Sequence, residues 1–533
     1  MRRAFDALDR LPETRAAYLW LVLLCLVLFV PGLRGLPALD PAESRVAIAT
    51  LRAMEAAAQV PSTEPGLHWA QAASVRTVEA LGLHAQARAR IWAYRIPSLL
   101  GAIAAVLATF HFGRALVGRR AAFLAAALLA ASVGMAVAAR IAVADAALLA
   151  CTVAAMGLMG RAYLSPARVA PRQAAGVWLA AGGAVLLVGP GGALVPLLAA
   201  VTLAVADKGW ATGLPWLRAL RPGWGVPLML LVAVPWLASA PAEGASAGWW
   251  VPPGAQLPGF ILLGFPAAFL VLRALPGAWA ERLHPPTRFL LAWAVPAWLA
   301  AEAGPGRSLL DALPAFPALM LLAAACVLDP LRRPPPRWLG VLAAGVLLAG
   351  AVGLGVAAAL LPLLADGRVV VIALLALPLA VALAVLVLRL MRAGQPARAA
   401  LLAVALTLPL HWIALGEVLP RLTAPWISPR LATLVLQAQP GIHDARLAVA
   451  GYEAPSLGFA LGAGIARLGR GEDAASFLAA GPGRLVAVAD RQEAAFRAEA
   501  AARGLGLREH GVVAGFDLAR GRWVAISVFG VDG

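Results

Sequence analysis

The sequence predicts a polytopic α-helical membrane protein of about thirteen spans with a small α/β domain at its C-terminal end. Three observations predict it. The 533-residue chain is 62% hydrophobic and only 13% charged, far more apolar than a soluble domain with a solvated surface. Apolar stretches of bilayer length recur from residue 17 to residue 418. Arginines gather in alternate loops between those stretches, the distribution that fixes orientation in a membrane.

The expected spans lie near 17–34, 96–114, 121–139, 142–160, 174–188, 190–206, 224–241, 257–274, 288–303, 308–328, 338–363, 368–388 and 399–418. The first is an anchor rather than a cleaved signal: its flank "MRRAFDALDRLPETR" is long and mixed in charge, and "PGLRGLPALD" offers no small-residue cleavage site. One side of the bundle receives Arg2, Arg3, Arg10 and Arg15, then Arg114, Arg119 and Arg120, then Arg161, Arg168 and Arg172. The same side goes on to receive Lys208, Arg218 and Arg221, then Arg273, Arg282 and Arg288, then Arg332, Arg333 and Arg337, then Arg389, Arg392 and Arg398. The opposite short loops hold Arg140, Arg307 and Arg368. The N-terminus is therefore expected inside, and an odd number of spans sends the tail outside.

Two regions depart from simple spans: an outer loop over 35–95 and a tail over 420–533, which divide the chain into a membrane domain at 1–419 and an outer α/β domain. In the loop, "AESRVAIATLRAMEAAAQV" places residues 46, 47, 50, 51, 54 and 57, all apolar except Thr50, at helical spacing, as in an amphipathic interfacial helix. Pro65-Gly66 then breaks the chain before a second helix carrying Trp69 and Val75. In the tail, "ARLAVAGY" and "RLVAVAD" read as strands, "RQEAAFRAEAAARGL" as a helix ending at Gly504, and the closing segment as a hairpin turning at Arg520-Gly521.

Composition excludes several functions. The net charge of +17 comes from basic residues scattered between apolar segments, not clustered with aromatics as nucleic-acid binding requires. Lys208 is the only lysine, so a phosphate outside the membrane must be met by Arg, His or backbone N–H groups. Cys25, Cys151 and Cys326 lie in apolar segments and imply no disulfide or metal framework. No P-loop, HExxH or Cys/His spacing is present, which argues against an ATP-driven pump or a zinc protease.

Charges at membrane depth mark candidate sites. In "ARIAVADAALLA", Arg140 falls at the outer mouth of the fourth span and Asp145 about one turn deeper. The two are five apart and do not share a helix face, so Arg140 is either an interfacial anchor or part of an outward-facing site with Asp145. Asp40 and Glu43 have two readings. They start a helix as N-cap and capping-box acid, or one of them is a general base acting beside an arginine that holds a leaving phosphate, with Arg45, Arg76, Arg95 and Arg140 as candidates. His68 in "TEPGLHWAQ" is a packing residue, a second acid/base or a phosphate donor.

The motifs, taken in order, resemble those of GT-C class membrane glycosyltransferases, in the branch of the protein O-mannosyltransferases and the lipid A aminoarabinose transferases. "LDPAESRVAIATLRAM" is similar to L-D-P-D-E-x-R-Y-A-E-x-A-R-x-M, and "TEPGLHWAQ" falls where that branch has E-K-P-P-L-x-Y-W. "YRIPSLLGAIAAVL", "ARIAVADAALL" and "SLLDALPAFPALMLLAA" resemble V-R-L-P-S-A-L, R-x-A-x-x-D-x-x-L and Y-x-L-P-x-x-P-A-L-A-L-L. "GYEAPSLGFALG" and "GFDLARGRWVAISVF" resemble tail segments of bacterial members. The departures fall on charged positions: Ala42 stands where the branch has its catalytic Asp, Glu64 at the Lys of E-K-P, and Val188 at the Lys of K-G-P.

The resemblance implies a GT-C-like fold and an inverting transfer of sugar from a polyprenyl-phosphate donor to a lipid or other envelope acceptor. It implies a bacterial inner membrane location, with the site and the tail facing the periplasm. Asp40, Glu43 and Asp145 are the catalytic candidates, and Arg45, His68, Arg95 and Arg140 the substrate-binding ones. No cofactor or metal ligand is assigned, and a divalent cation is left open. The altered charges also allow a second reading, an inactive GT-C relative that binds the lipid carrier or a partner.

Overall fold

The computed structural model describes residues 11–55, 64–84, 86–209, 213–238, 251–304, 308–329, 335–462 and 464–531. Arg2, Arg3, Arg10, Arg307, Arg332 and Arg333 of the charge pattern lie outside them. Six helices are long and apolar enough to span: Ile91–Val117, Asp145–Leu164, Leu309–Leu328, Arg337–Asp366, Val371–Arg392 and Pro396–Arg421. The pair Gln256–Leu263 and Ala268–Ala280, bent by 119°, counts as one more, and Ala16–Phe29, Pro190–Ala206 and Pro222–Ala238 are shorter apolar helices. The chain is a multi-pass membrane protein. Its outward residues include Leu19, Trp20, Val341 and Val371, apolar side chains suited to lipid contact.

The elements around the site are α1 (Ala16–Phe29), α2 (Ala42–Glu55), α3 (Pro65–Ala80), α4 (Ile91–Val117), α5 (Asp145–Leu164), α6 (Pro171–Val188) and α7 (Pro285–Ala303). The core between them is rich in alanine, so helices approach closely and gain contact area without bulky side chains. A Cβ on Gly101 of α4 would stand 2.7 Å from the Ala147 backbone of α5, and glycine is what permits this crossing.

Three expected spans are interrupted. The stretch 121–139 breaks at Ser132, whose extended backbone ends one helix and whose hydroxyl accepts from Met135 N at 3.3 Å to start the next. The stretch 257–274 turns sharply before Ala268, where Pro266 removes a backbone donor. The last span leaves α-helical geometry at His411 and continues as a π-helical turn over Trp412–Val418. Gly32, at φ +80, packs against that turn, where a Cβ would lie 2.3 Å from Leu415 O.

The tail folds as three layers. Its sheet has the order β2-β1-β3-β5-β4, with β1 (Leu447–Ala450), β2 (Ala466–Leu468) and β3 (Leu485–Ala489) parallel. β4 (Leu507–Asp517) and β5 (Arg522–Val531) close it antiparallel. Helix α8 (Ile427–Ala438) packs on one face with α9 (Pro455–Leu461). Helices α10 (Gly471–Ala479) and α11 (Asp490–Ala502) cover the other. Burial on both faces explains the unbroken apolar runs of β1 and β3.

This unit sits directly on the first loop. Phe459 of α9 meets Tyr94 edge to face at 5.4 Å, and Gly458 packs against Ile48 of α2. At the junction, Asp366 accepts from the N–H groups of Thr423 and Ala424 and from the Thr423 hydroxyl.

Candidate active site

Glu43 and Arg95 form a saturated buried pair. Glu43 is 1% exposed and Arg95 is fully buried. One Glu43 oxygen accepts from Arg95 Nε and Ala142 N, both at 2.7 Å. The other accepts from Arg95 Nη2 and Leu39 N, both at 2.8 Å. The remaining guanidinium hydrogens reach the carbonyls of Leu33, Leu36 and Pro37. Every donor of the arginine and every good lone-pair direction of the carboxylate is thereby in use. The bond to Leu39 N ties Glu43, in the first turn of α2, back to the residue before Asp40, whereas a capping box would reach the backbone three residues back.

Asp40 does not serve as the N-cap. Its carboxylate turns toward the tail and accepts from Ser456 N at 2.7 Å and from the Ser456 hydroxyl. The Ser456 and Ser428 hydroxyls are 2.6 Å apart, and Ser428 is 3.1 Å from Tyr452 OH. One proton per hydroxyl gives a chain running from Tyr452 through Ser428 and Ser456 to Asp40. Burial pushes the Asp40 carboxyl up, with the Ser456 bonds opposing it.

His68 is held by Thr50, whose hydroxyl lies 2.6 Å from His68 Nδ1 and 2.6 Å from Gln71 Oε1. Gln71 donates onward to Ala142 O at 3.0 Å. Burial pushes His68 down to about 4, so the ring is neutral at pH 7. Arg140, 2% exposed, donates to the carbonyls of Pro31 at 3.1 Å, Ala136 at 2.7 Å and Leu28. Arg95 and Arg140 are thus engaged with carbonyls and, for Arg95, an acid. Arg45 and Arg76 are exposed on α2 and α3.

These contacts converge on the turn before α5. Ala142 is gripped at its N–H by Glu43 and at its carbonyl by Gln71, and Ser98 donates to Val143 O at 2.9 Å. The turn delivers Asp145, the first residue of α5, where the helix dipole favours a negative charge.

Asp145 lines a cavity of about 220 Å³. Its walls come from Leu148 and Thr152 of α5, Gly191 to Val195 after α6, Ala297 to Gly304 at the end of α7, and the turn holding Leu310, Asp311, Leu313 and Pro314. Asp311 accepts from Ser308 N at 2.7 Å. Glu64, just before α3, is pushed up to about 7, by burial first and by Asp145 second. Asp145 is the one catalytic candidate from the sequence that lines this cavity; Asp40 and Glu43 lie away from it. Asp311 was legible as an acid inside an apolar span and as the last residue of S-x-x-D before an apolar run, but the sequence reading did not single it out. Among the described residues, no three His, Cys, Asp or Glu side chains form a metal-ligand set. A larger groove of about 630 Å³ lies elsewhere, among loops carrying Arg119, Arg120, Glu281 and Asp329.

Comparison with known proteins bears on this geometry. Residues 81–241 match the family model described as dolichyl-phosphate-mannose-protein mannosyltransferase. The crystal structure of ArnT from Cupriavidus metallidurans bound to undecaprenyl phosphate superposes with a TM-score of 0.72 at 19% identity, covering 96% of this chain and 98% of that one. The apo state of the same protein gives 0.70 at the same identity and coverage. No curated protein matches the chain. The resemblance to GT-C proteins is therefore carried by a family model over part of the chain and by the fold over nearly all of it.

Proposed function

We propose that the protein is an inverting glycosyltransferase that moves a sugar from a polyprenyl-phosphate donor to a lipid or glycan acceptor at the outer face of a bacterial inner membrane. The observation that carries the proposal is the convergence of three motif-bearing segments on one cavity: the Asp145 turn, the glycines after Val188-Gly189-Pro190, and the turn with Asp311 and Pro314. A cavity with two carboxylates and otherwise apolar or small walls suits a sugar ring held beside a base.

In this reading Asp145 takes the proton of the acceptor hydroxyl. The acceptor oxygen bonds to the anomeric carbon, the bond from that carbon to the phosphate oxygen breaks, and polyprenyl phosphate leaves with the electron pair. Asp311 and Glu64 place further negative charge around Asp145. We assign the donor phosphate to Arg45, which is exposed on α2 and stands at an arginine of the matching motif. Glu43, Arg95, Arg140 and His68 act as positioning residues that hold the turn before Asp145, and Asp40 fastens the tail. Residues 1–419 form the catalytic membrane domain with the N-terminus inside, and 420–533 an outer domain, as the arginine distribution supports.

The test is transfer of a labelled sugar from a panel of polyprenyl-phosphate donors. Asp145→Asn should abolish transfer and retain carrier binding. A specific observation also favours a second reading: Ala42 offers no carboxylate, and both neighbouring acids are engaged elsewhere. A wild-type protein that binds the carrier and transfers nothing from the whole panel would establish that reading, a carrier-binding relative without catalysis.

A further inference from the structure

The end of the bundle opposite Asp145 carries a second cluster of charge that glycosyl transfer does not use. Arg114 lies in the last turn of α4 and Arg161 in the last turn of α5. The sixteen-residue run along α5 from Asp145 to Arg161 puts the cluster about 24 Å from the cavity, close to a bilayer's hydrocarbon thickness. Arg114 Nε and Arg161 Nη2 each donate to the same oxygen, the carbonyl of His111, both at 3.1 Å. Two guanidinium groups therefore crowd around one carbonyl and repel each other.

Neither arginine forms an ion pair with an acid among the described residues. The nearby acids are engaged otherwise: Asp207 with Arg288 and Tyr163, and Glu13 with Arg120. Each helix C-terminus favours one cation, but the two guanidinium groups still share a single carbonyl acceptor. The third polar group adds another donor. Arg114 Nη2 donates to His111 Nδ1 at 3.1 Å, and Tyr18 OH lies 2.8 Å from the same nitrogen. An arginine has no lone pair to offer, so Nδ1 is the acceptor and the ring proton sits on Nε2.

Aromatic faces complete the surroundings. The Arg114 guanidinium stands 5.9 Å from the Tyr18 ring and 5.6 Å from the Phe110 ring, and Arg161 stands 4.8 Å from Phe112. Tyr18, His111, Arg114 and Arg161 are all half-buried, which leaves their polar ends within reach of a ligand at the membrane surface. Donors without acceptors, beside aromatic rings at a bilayer boundary, match the chemistry of an anionic headgroup.

We propose that Tyr18, His111, Arg114 and Arg161 bind the phosphate of an anionic phospholipid in the leaflet opposite the cavity. The guanidinium groups take the phosphate oxygens, and the aromatic rings lie along the upper acyl chains. The site does not depend on glycosyl transfer and stands even if the protein is not an enzyme.

The test uses the full-length protein and measures lipid retained through purification by native mass spectrometry. Phosphatidylglycerol vesicles are compared with phosphatidylcholine vesicles, and inorganic phosphate serves as a separate probe. The wild type should retain phosphatidylglycerol in preference. With roughly fivefold per basic residue near an anionic surface, Arg114→Gln with Arg161→Gln should weaken retention about thirtyfold. Arg114→Lys with Arg161→Lys keeps both charges and should preserve most of it, so a folded control exists if the glutamine pair is unstable. Equal retention by wild type and the folded glutamine pair overturns the proposal, as does loss of retention in the folded lysine pair. Inorganic phosphate that binds wild type as well as the lipid does would make this a soluble-anion site and overturn the lipid assignment.

Discussion

Replacing Glu43 by Gln separates holding the site from performing the chemistry. The carboxylate faces four donors, two from Arg95 and one each from the backbones of Leu39 and Ala142. An amide offers one accepting oxygen and turns its N–H groups toward the donors left over, while Arg95 stays buried without its counter-charge. Breaking a buried pair in this way costs about 3–5 kcal/mol, roughly two to three and a half orders of magnitude in the folded population. Equilibrium unfolding in mixed micelles should show that loss for Glu43→Gln. Asp145→Asn should shift the same measurement by no more than about 1 kcal/mol, the worth of a first-turn charge, while transfer disappears. A Glu43→Gln protein of wild-type stability with no transfer would refute the reasoning and make Glu43 the base.

The pH dependence follows from two groups of opposite sign. Glu64 rises from 4.5 to about 7 on folding, so its contribution to stability is present at low pH and lost as pH rises through that window. His68 falls from 6.5 to about 4, so its contribution is present above 6.5 and lost as pH falls toward 4. Stability measured between pH 4 and 7 should rise more steeply with pH in Glu64→Gln than in wild type, and less steeply in His68→Gln; identical slopes would contradict the assignment. Ser456→Ala removes a hydroxyl bond to a half-buried carboxylate and should cost about 1–3 kcal/mol, read as faster proteolysis near residue 423. Gly101→Val should destabilise the bundle by about 1–3 kcal/mol through overpacking against Ala147, seen as a lower unfolding midpoint with lipid binding at the Arg114 end unchanged.

Local signals in the sequence carried much of this architecture. Helical spacing after Asp40, the break at Pro65-Gly66 and the apolar runs of β1 and β3 each depend on neighbours within a few residues, and each has its counterpart in the structure. Bends were less visible. The turn before Ala268 and the break at Ser132 have local causes in Pro266 and the Ser132 hydroxyl, but what joins them is a contact between distant segments, Val133 N donating to Phe265 O at 3.2 Å. The site was legible by residue type and less so by role. The engagement of Asp40 with Ser456 and of Arg140 with three carbonyls depends on partners far along the chain, which no motif spacing encodes.

The bond from Ser456 to Asp40 joins residues 416 positions apart. At about 5–20 residues per second of synthesis, the start of the first loop emerges roughly 20–80 s before its partner exists. During that interval Glu43 can already find Arg95, only 52 positions later, while Asp40 waits in water. The loop is therefore assembled in two stages, and the tail supplies the last contact. Completion of the C-terminal domain becomes a checkpoint on the whole chain: a ribosome that stops short of Ser456 releases a chain in which the Asp40 carboxylate has not met the Ser456 donors.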